Sequence, residues 1–203
     1  MSDNIALIDY GAGNLHSVHN ALKAAGASAI DVTADPAIVR RAGRIVLPGV
    51  GAFAACANAL RAISGMTDAL DAAVIEGGTP FLGICVGMQL MAGEGEEHGA
   101  HPGLGWIAGR VTALQSHDPA VKIPHMGWND VVPAVDHPLI APGEAYFLHS
   151  FAYEGTDILA VTDHGGPVTA AIGRANMLGV QFHPEKSQRY GLDFLARFLE
   201  WRP

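Results

Sequence analysis

The first half of the chain alternates short, mostly apolar runs with amphipathic stretches. The runs at 5–8, 29–32, 44–47 and 80–84 predict strands that are buried on both faces of a sheet. Between them, apolar residues recur at helical spacing, which predicts helices over 14–25, 36–42, 52–63, 67–76 and 86–91. Strands that alternate with helices in this way favour a parallel sheet covered by helices on both faces.

The second half carries a different pattern, in which short apolar segments are separated by Gly, Pro and Asn. Six segments predict further strands: 111–114, 130–135, 145–151, 158–162, 168–173 and 177–181. This series indicates an antiparallel addition and the remaining edge of the sheet. A closing helix over 188–201 places Leu192, Leu195, Phe198 and Leu199 on one face. No linker interrupts the chain, so we expect a single α/β domain over residues 1–203.

Composition narrows the class of protein further. The chain has 203 residues, of which 49% are hydrophobic and 16% charged, enough for a full core and too apolar for a disordered chain. A net charge of −8 argues against binding to nucleic acid or to anionic membranes. Two cysteines cannot build a disulfide framework, and the polar start Met1-Ser-Asp-Asn4 does not resemble a signal peptide. We therefore expect a soluble cytoplasmic protein.

Glycine is enriched, at 25 residues, and it clusters directly after several predicted strands. One cluster, Gly83-Ile84-Cys85-Val86-Gly87, has the form of a nucleophile elbow, with cysteine where α/β-hydrolases have serine. Such a turn exposes the Cys85 sulfur at a helix N-terminus, which favours the thiolate, and aims the Val86 N–H at an oxyanion. Cys56 lies in an alanine-rich helix without this frame, and we interpret it as a buried structural residue.

A thiolate nucleophile needs a base, and His183 is the strongest candidate among ten histidines. Pro184 ends the preceding strand, so His183 lies at a carboxyl strand end, where open α/β sheets bind their ligands. Glu185 could accept the second imidazole N–H, which would complete a Cys85–His183–Glu185 triad.

A His-Pro-Glu run is weak evidence when it stands alone, and two other histidines have no simple explanation. His125 and His149 do not fall among the turn residues that we expect to be solvated. No pair of histidines or cysteines has the spacing of zinc ligands, so we predict no metal and no cofactor.

Five motifs occur in an order that is typical of one enzyme family. They are Ile8-Asp-Tyr-Gly-Ala-Gly-Asn-Leu15, Pro48-Gly-Val-Gly51, Gly83-Ile-Cys-Val-Gly-Met-Gln89, Pro124-His-Met-Gly-Trp-Asn129 and Gln181-Phe-His-Pro-Glu-Lys-Ser187. With them the chain resembles the flavodoxin-like class I glutamine amidotransferases over residues 5–200. Within that family it is most similar to the glutaminase subunits of imidazole glycerol phosphate synthases, which act in histidine biosynthesis. One departure is Phe151, where a tyrosine is common.

The resemblance implies a role for each matching residue. Cys85 would attack the side-chain amide of glutamine, His183 would protonate the ammonia that leaves, and water would hydrolyse the γ-glutamyl thioester. Glu185 would support the imidazole. The N–H groups of Val50 and Val86 would form the oxyanion hole after a flip of the peptide between residues 49 and 50. The substrate's amino-acid end would be held by Gly49, Gly51, Gln89, Ser150 and Phe151.

The resemblance also implies a partner, because ammonia must reach its acceptor without being protonated in water. The partner would be a (β/α)8-barrel cyclase subunit, bound as a heterodimer. The cyclase would produce imidazole glycerol phosphate and aminoimidazole carboxamide ribonucleotide. The residues that match the docking face are Tyr10, Asn14, Trp128 and Lys186.

Three other functions remain open on the sequence. A glutaminase for anthranilate or aminodeoxychorismate synthesis would share the elbow and the His-Pro-Glu run, but not the motifs at 9–14 and 124–129. A free-standing γ-glutamyl cysteine hydrolase would turn over without a partner. A subunit that only stabilises a synthase would have no use for a strained nucleophile turn.

Overall fold

The computed structural model describes residues 4–116 and 118–203, so Met1 to Asp3 and His117 lie outside the described residues. In the first half the elements are β1 (Ile5–Ile8), α1 (Leu15–Ala24), β2 (Ile30–Thr33), α2 (Pro36–Val39), β3 (Arg44–Gly49), α3 (Phe53–Ala62), α4 (Met66–Leu70) with a π-helical continuation (Asp71–Glu76), β4 (Phe81–Cys85) and α5 (Val86–Gln89). In the second half they are β5 (Glu94–Gly95), β6 (His101–Pro102), β7 (Gly109–Ala113), β8 (His125–Pro133), β9 (Gly143–His149), β10 (Phe151–Gly155), β11 (Ile158–Asp163), β12 (Pro167–Arg174), β13 (Met177–Val180), a 3-10 turn (Pro184–Lys186) and α6 (Gln188–Glu200).

The main sheet has nine strands in the order β2-β1-β3-β4-β13-β12-β11-β8-β9. The neighbours from β2 to β13 are parallel, and every later pair is antiparallel. The predicted fold class, a mostly parallel open sheet with an antiparallel addition, is therefore confirmed.

The direction of the crossovers decides which face each helix covers. The chain steps from β1 to β2 toward one edge, and then from β2 to β3 and β4 in the opposite direction. Since such crossovers are right-handed, α1 lies on one face and α2, α3 and α4 lie on the other. The packing agrees with this, because α1 contacts α6 whereas α4 contacts α2 and α3. In the described ranges, no helix is long and apolar enough to cross a membrane.

Some predicted boundaries were wrong for physical reasons. The predicted strand 145–151 breaks at Ser150 into β9 and β10, and β10 belongs to a second sheet with the order β10-β7-β5-β6. Strand β3 continues through Pro48 to Gly49, two residues beyond the predicted run at 44–47. Pairing between β1 and β3 ends at Leu7 opposite Val46. Pro48 lies beyond this last pair on the β1 side, so its missing N–H costs no hydrogen bond between the two strands.

Candidate active site at three strand ends

Strands β3, β4 and β13 are neighbours, so their carboxyl ends meet at one edge of the sheet. Cys85 ends β4 with φ 55° and ψ −113°, a conformation that side chains rarely adopt, and Val86 begins α5. The elbow needs its glycines, because a Cβ on Gly87 would collide with the Leu47 carbonyl. A Cβ on Gly83 would come within 2.6 Å of the Gly87 carbonyl oxygen. The predicted strained turn is therefore present at Cys85.

The imidazole of His183 is held between Cys85 and Glu185. Its Nδ1 lies 2.8 Å from Glu185 Oε1, and both side chains are buried. The backbone is fixed as well, since the His183 N–H donates to the Tyr146 carbonyl at 2.9 Å. Burial alone lowers the pKa of His183, but hydrogen bonding and charge attraction from Cys85 and Glu185 outweigh it and raise the pKa to about 9. At neutral pH a protonated imidazole therefore lies beside the Cys85 sulfur.

A second residue of the same strand end, Gln181, also reaches the nucleophile. Its Nε2 donates to Cys85 Sγ at 3.6 Å, and its Oε1 accepts from Gln89 Nε2 at 3.0 Å. Gln89 Nε2 also donates to the Phe151 carbonyl at 3.0 Å, so its Oε1 is the atom left to face a ligand. Sequence reasoning assigned no role to Gln181. The two-residue period of a strand, which puts Gln181 and His183 on one face, was the signal that could have found it.

His149 and His125 form a buried chain that ends at the same backbone. His149 Nδ1 is 2.9 Å from the Phe151 carbonyl oxygen, which can only accept, so this nitrogen carries the proton. His149 Nε2 must then accept from His125 Nδ1 at 3.0 Å, and His125 Nε2 accepts from Asn129 Nδ2 at 3.0 Å. Burial lowers the pKa of His125 to about 3 and that of His149 to about 4. Both rings are therefore neutral, with a single arrangement of protons.

Of these groups, Cys85, Gln89, His149 and His183 line one cavity of about 280 Å³. Its lining also includes Val50, Gly51, Ser150 and Lys186. The cavity includes a carboxylate that sequence reasoning missed, that of Glu97. Glu97 Oε2 accepts from the Phe53 N–H at 2.8 Å, at the start of α3. Glu97 lies among several nearby glutamates in a loop, so no local spacing distinguishes it. Within the described ranges, no group of three His, Cys, Asp or Glu residues could hold a metal ion.

The two predicted oxyanion donors do not converge in this structure. Gly49 is paired with Cys85 in the parallel ladder between β3 and β4. The Ile45 N–H donates to the Pro80 carbonyl, and since alternate residues bond to the same neighbour, the Gly49 carbonyl faces the Val86 N–H. The planar trans peptide then points the Val50 N–H in the opposite direction. Gly51 lines the cavity, whereas Gly49 is paired with Cys85 and does not line it.

Comparison with known proteins identifies the family to which this chain belongs. The model of the family described as glutamine amidotransferase class-I matches residues 6–200. This chain belongs to the class I glutamine amidotransferases. A solved structure described as "Crystal structure of glutamine amidotransferase" superposes with a TM-score of 0.74 over 97% of this chain and 99% of that one. Its sequence identity is 17%, so that likeness concerns the fold.

Within this family, the chain is similar over its full length to proteins that carry a more specific name. A protein of Zymomonas mobilis named "Imidazole glycerol phosphate synthase subunit HisH" is 62% identical over 100% of this chain and 98% of its own length. A protein of Rhodospirillum rubrum with the same name is 53% identical over 98% of this chain and 99% of its own length. The resemblance to a synthase subunit is thus full-length.

One of the predicted docking residues, Tyr10, lies against the Pro48–Gly51 segment that contains the Val50 N–H, here called the oxyanion strand. Tyr10 does not match a role as a surface contact, because its side chain is buried and its hydroxyl donates to the Pro48 carbonyl at 2.7 Å. Asn14 is half-buried at the N-cap position of α1, and its side chain forms no capping hydrogen bond. A sequence motif carries no information on burial. Tyr10 is buried because β1 packs beside β3.

The other two docking residues lie on the outer face of the β8–β9 ribbon. Trp128 is 47% exposed and meets Tyr146 edge to face, with ring centroids 6.2 Å apart. Lys186 Nζ lies 5.8 Å from the centroid of the Tyr146 ring. Met126 and Leu148 are paired on this face and are also exposed, at 65% and 36%. An apolar surface therefore leads directly to the cavity, which Leu148 lines.

Proposed function

We propose that this chain is the glutaminase subunit of an imidazole glycerol phosphate synthase in histidine biosynthesis. It hydrolyses glutamine to glutamate and ammonia and supplies the ammonia to a cyclase subunit. The observation that carries the proposal is the strained Cys85 elbow in one cavity with His183, which pairs with the buried Glu185. The full-length similarity to named synthase subunits supports this function over anthranilate or aminodeoxychorismate synthesis.

The residues of the cavity account for each step. The Cys85 thiolate attacks the side-chain amide carbon of glutamine, and the carbonyl oxygen takes up the negative charge. His183, protonated at neutral pH, gives its proton to the amide nitrogen, so ammonia leaves and a γ-glutamyl thioester remains. Neutral His183 then takes a proton from water, which attacks the thioester and releases glutamate. Glu185 holds the imidazole in the orientation that both transfers need.

Substrate binding uses groups from the opposite wall of the cavity. The Glu97 carboxylate is placed to pair with the α-ammonium group of glutamine, and the backbone at Ser150 and Phe151 to bind its α-carboxylate. Gln89 and His149 both donate to the Phe151 carbonyl, which uses both of its lone pairs and fixes that peptide. This rigid backbone makes a binding wall whose geometry does not depend on the ligand.

Catalysis also requires the oxyanion hole to open. While the Gly49 carbonyl faces the Val86 N–H, it occupies the direction from which an oxyanion would approach. Turning the peptide between Gly49 and Val50 removes that carbonyl and delivers the Val50 N–H. A missing oxyanion donor typically costs about 10²- to 10³-fold in turnover, so the resting chain is a slow glutaminase.

The partner is a (β/α)8-barrel cyclase subunit that forms a heterodimer with this chain and docks on the surface around the cavity. Support comes from the exposed apolar side chains there: Val50, Met126, Trp128 and Leu148 are 36% to 65% exposed. Val50 and Leu148 also line the cavity, so a subunit that covers them encloses the site. Enclosure keeps ammonia away from bulk water, where it would be protonated and lose its nucleophilicity.

The decisive experiment measures glutamine hydrolysis and cyclase turnover by the purified chain with its cyclase subunit. Cys85→Ala should abolish both when glutamine is the nitrogen source, because no thioester can form. Cyclase turnover with ammonium salt at high pH should persist, because only the supply of ammonia is lost, and the urea unfolding midpoint of the variant checks that it folds. Glutamine-dependent turnover by Cys85→Ala would refute the mechanism. Equal glutaminase rates with and without the cyclase subunit would favour a free-standing hydrolase.

A further inference from the structure

Two buried side chains hold the backbone on either side of the peptide between Gly49 and Val50. The Tyr10 hydroxyl donates to the Pro48 carbonyl at 2.7 Å, and the Cys56 thiol donates to the Val50 carbonyl at 3.3 Å. Tyr10 follows β1 and Cys56 belongs to α3, so the two contacts come from different elements. Their side chains are 5% and 1% exposed, respectively, so water does not compete for either bond.

The Tyr10 hydroxyl and the Cys56 thiol also lie close enough for each to influence the pKa of the other. Burial raises the pKa of Tyr10, and it also raises the pKa of Cys56. Both groups therefore stay protonated at neutral pH, and both remain donors to the strand above them.

The positions of the two carbonyls fit the mechanics of a peptide flip. Turning one peptide plane rotates ψ of the residue before it and φ of the residue after it in opposite senses, which leaves the flanking planes in place. Those flanking planes contain the carbonyls of Pro48 and Val50, the two that are held. Gly49 completes the arrangement, because a Cβ there would lie 2.9 Å from the Tyr10 hydroxyl and 2.7 Å from the Gly87 nitrogen.

We propose that Tyr10 and Cys56 are positioning residues that confine the rearrangement of the oxyanion strand to the peptide between Gly49 and Val50. By holding the planes on both sides, they keep the Val50 N–H aligned with the Val86 N–H once the peptide has turned. This inference rests on the proposed glutaminase function. It assigns a role to Cys56, which the sequence indicates only as a buried cysteine.

The test compares three variants in the complex with the cyclase subunit and its substrate. Cys56→Ala and Tyr10→Phe each remove one donor, whereas Cys56→Ser keeps a donor in the same place. We expect the first two to lower kcat for glutamine hydrolysis about tenfold, part of the loss that follows removal of an oxyanion donor. The KM for glutamine should stay within about twofold, since these residues do not line the cavity. Cys56→Ser should keep most of the wild-type kcat.

Two outcomes would overturn the inference. One is a kcat that neither Cys56→Ala nor Tyr10→Phe changes. The other is a Cys56→Ser variant as slow as Cys56→Ala, because the effect would then come from packing volume. The urea midpoint checks folding in each variant, and ammonia-dependent cyclase turnover checks that the partner subunit is active. A wild-type complex without glutaminase activity would instead refute the proposed function, so the two failures are distinguishable.

Discussion

The buried pair His125 and His149 should make the fold sensitive to mild acid. Both rings are neutral in the folded chain, since burial lowers the pKa of His125 to about 3 and that of His149 to about 4. In the unfolded chain both would titrate near the ordinary value of 6.5. Their contribution to stability is therefore complete above pH 6.5, and it is lost as the pH falls toward the two folded values.

The size of the effect follows from the two shifts. At pH 5 the unfolded form binds protons that the folded form does not bind. This lowers the free energy of unfolding by about 2 kcal/mol for each ring relative to pH 8. The two together cost about 4 kcal/mol, a large part of the 5–15 kcal/mol that is typical for a folded domain. Replacement of both by glutamine, which does not titrate, should lower stability at pH 8 but remove this dependence on pH.

The assay is urea unfolding at pH 8, 6.5 and 5, with His16→Gln as a control for loss of an exposed histidine. The doubly substituted chain should lose about 4 kcal/mol less than the wild type between pH 8 and pH 5. If the double variant does not fold, His149→Gln alone should recover about half of that difference. The reasoning is refuted if His125 and His149 can be replaced without flattening the pH dependence, or if the control flattens it equally.

Other predictions concern the site itself. In NMR titrations the pKa of His183, about 9 in the wild type, should fall in Glu185→Gln and in Cys85→Ala, because each removes a group that raises it; an unchanged titration would contradict the pairing. His183→Ala should abolish glutaminase activity as fully as Cys85→Ala, whereas Glu185→Gln should retain more, and the reverse order would contradict the assignment of the base. Glu97→Gln should raise the KM for glutamine at least tenfold while changing kcat little, as expected for loss of a charge-assisted bond; an unchanged KM would remove Glu97 from the binding wall. Trp128→Ala should weaken binding of the cyclase subunit at least tenfold in calorimetry, and unchanged affinity would place the interface elsewhere.

The proposed catalytic residues could be selected from the sequence because the signals for their local structure are local. The glycines on both sides of Cys85 are needed for one tight turn, and the collisions at Gly83 and Gly87 arise within that turn and its neighbouring strand. His183, Pro184 and Glu185 are likewise adjacent, so a strand end and a buried carboxylate follow from a few residues. The alternation of buried strands and helices in the first half is local too, and it predicted the parallel sheet.

The rest of the site depends on contacts between distant segments, which no local spacing encodes. Glu97 reaches the cavity because its loop returns to the start of α3, and Tyr10 is buried because β1 packs beside β3. The pairing of Gly49 with Cys85 is a matter of strand register, which side-chain patterns on fully buried strands do not reveal. The contact between Cys56 and the Val50 carbonyl likewise exists only after α3 folds back under the oxyanion strand. Turns, strand ends and the alternation of strands with helices are thus determined by neighbours along the chain. Burial, register and the shape of the cavity are determined by neighbours in space.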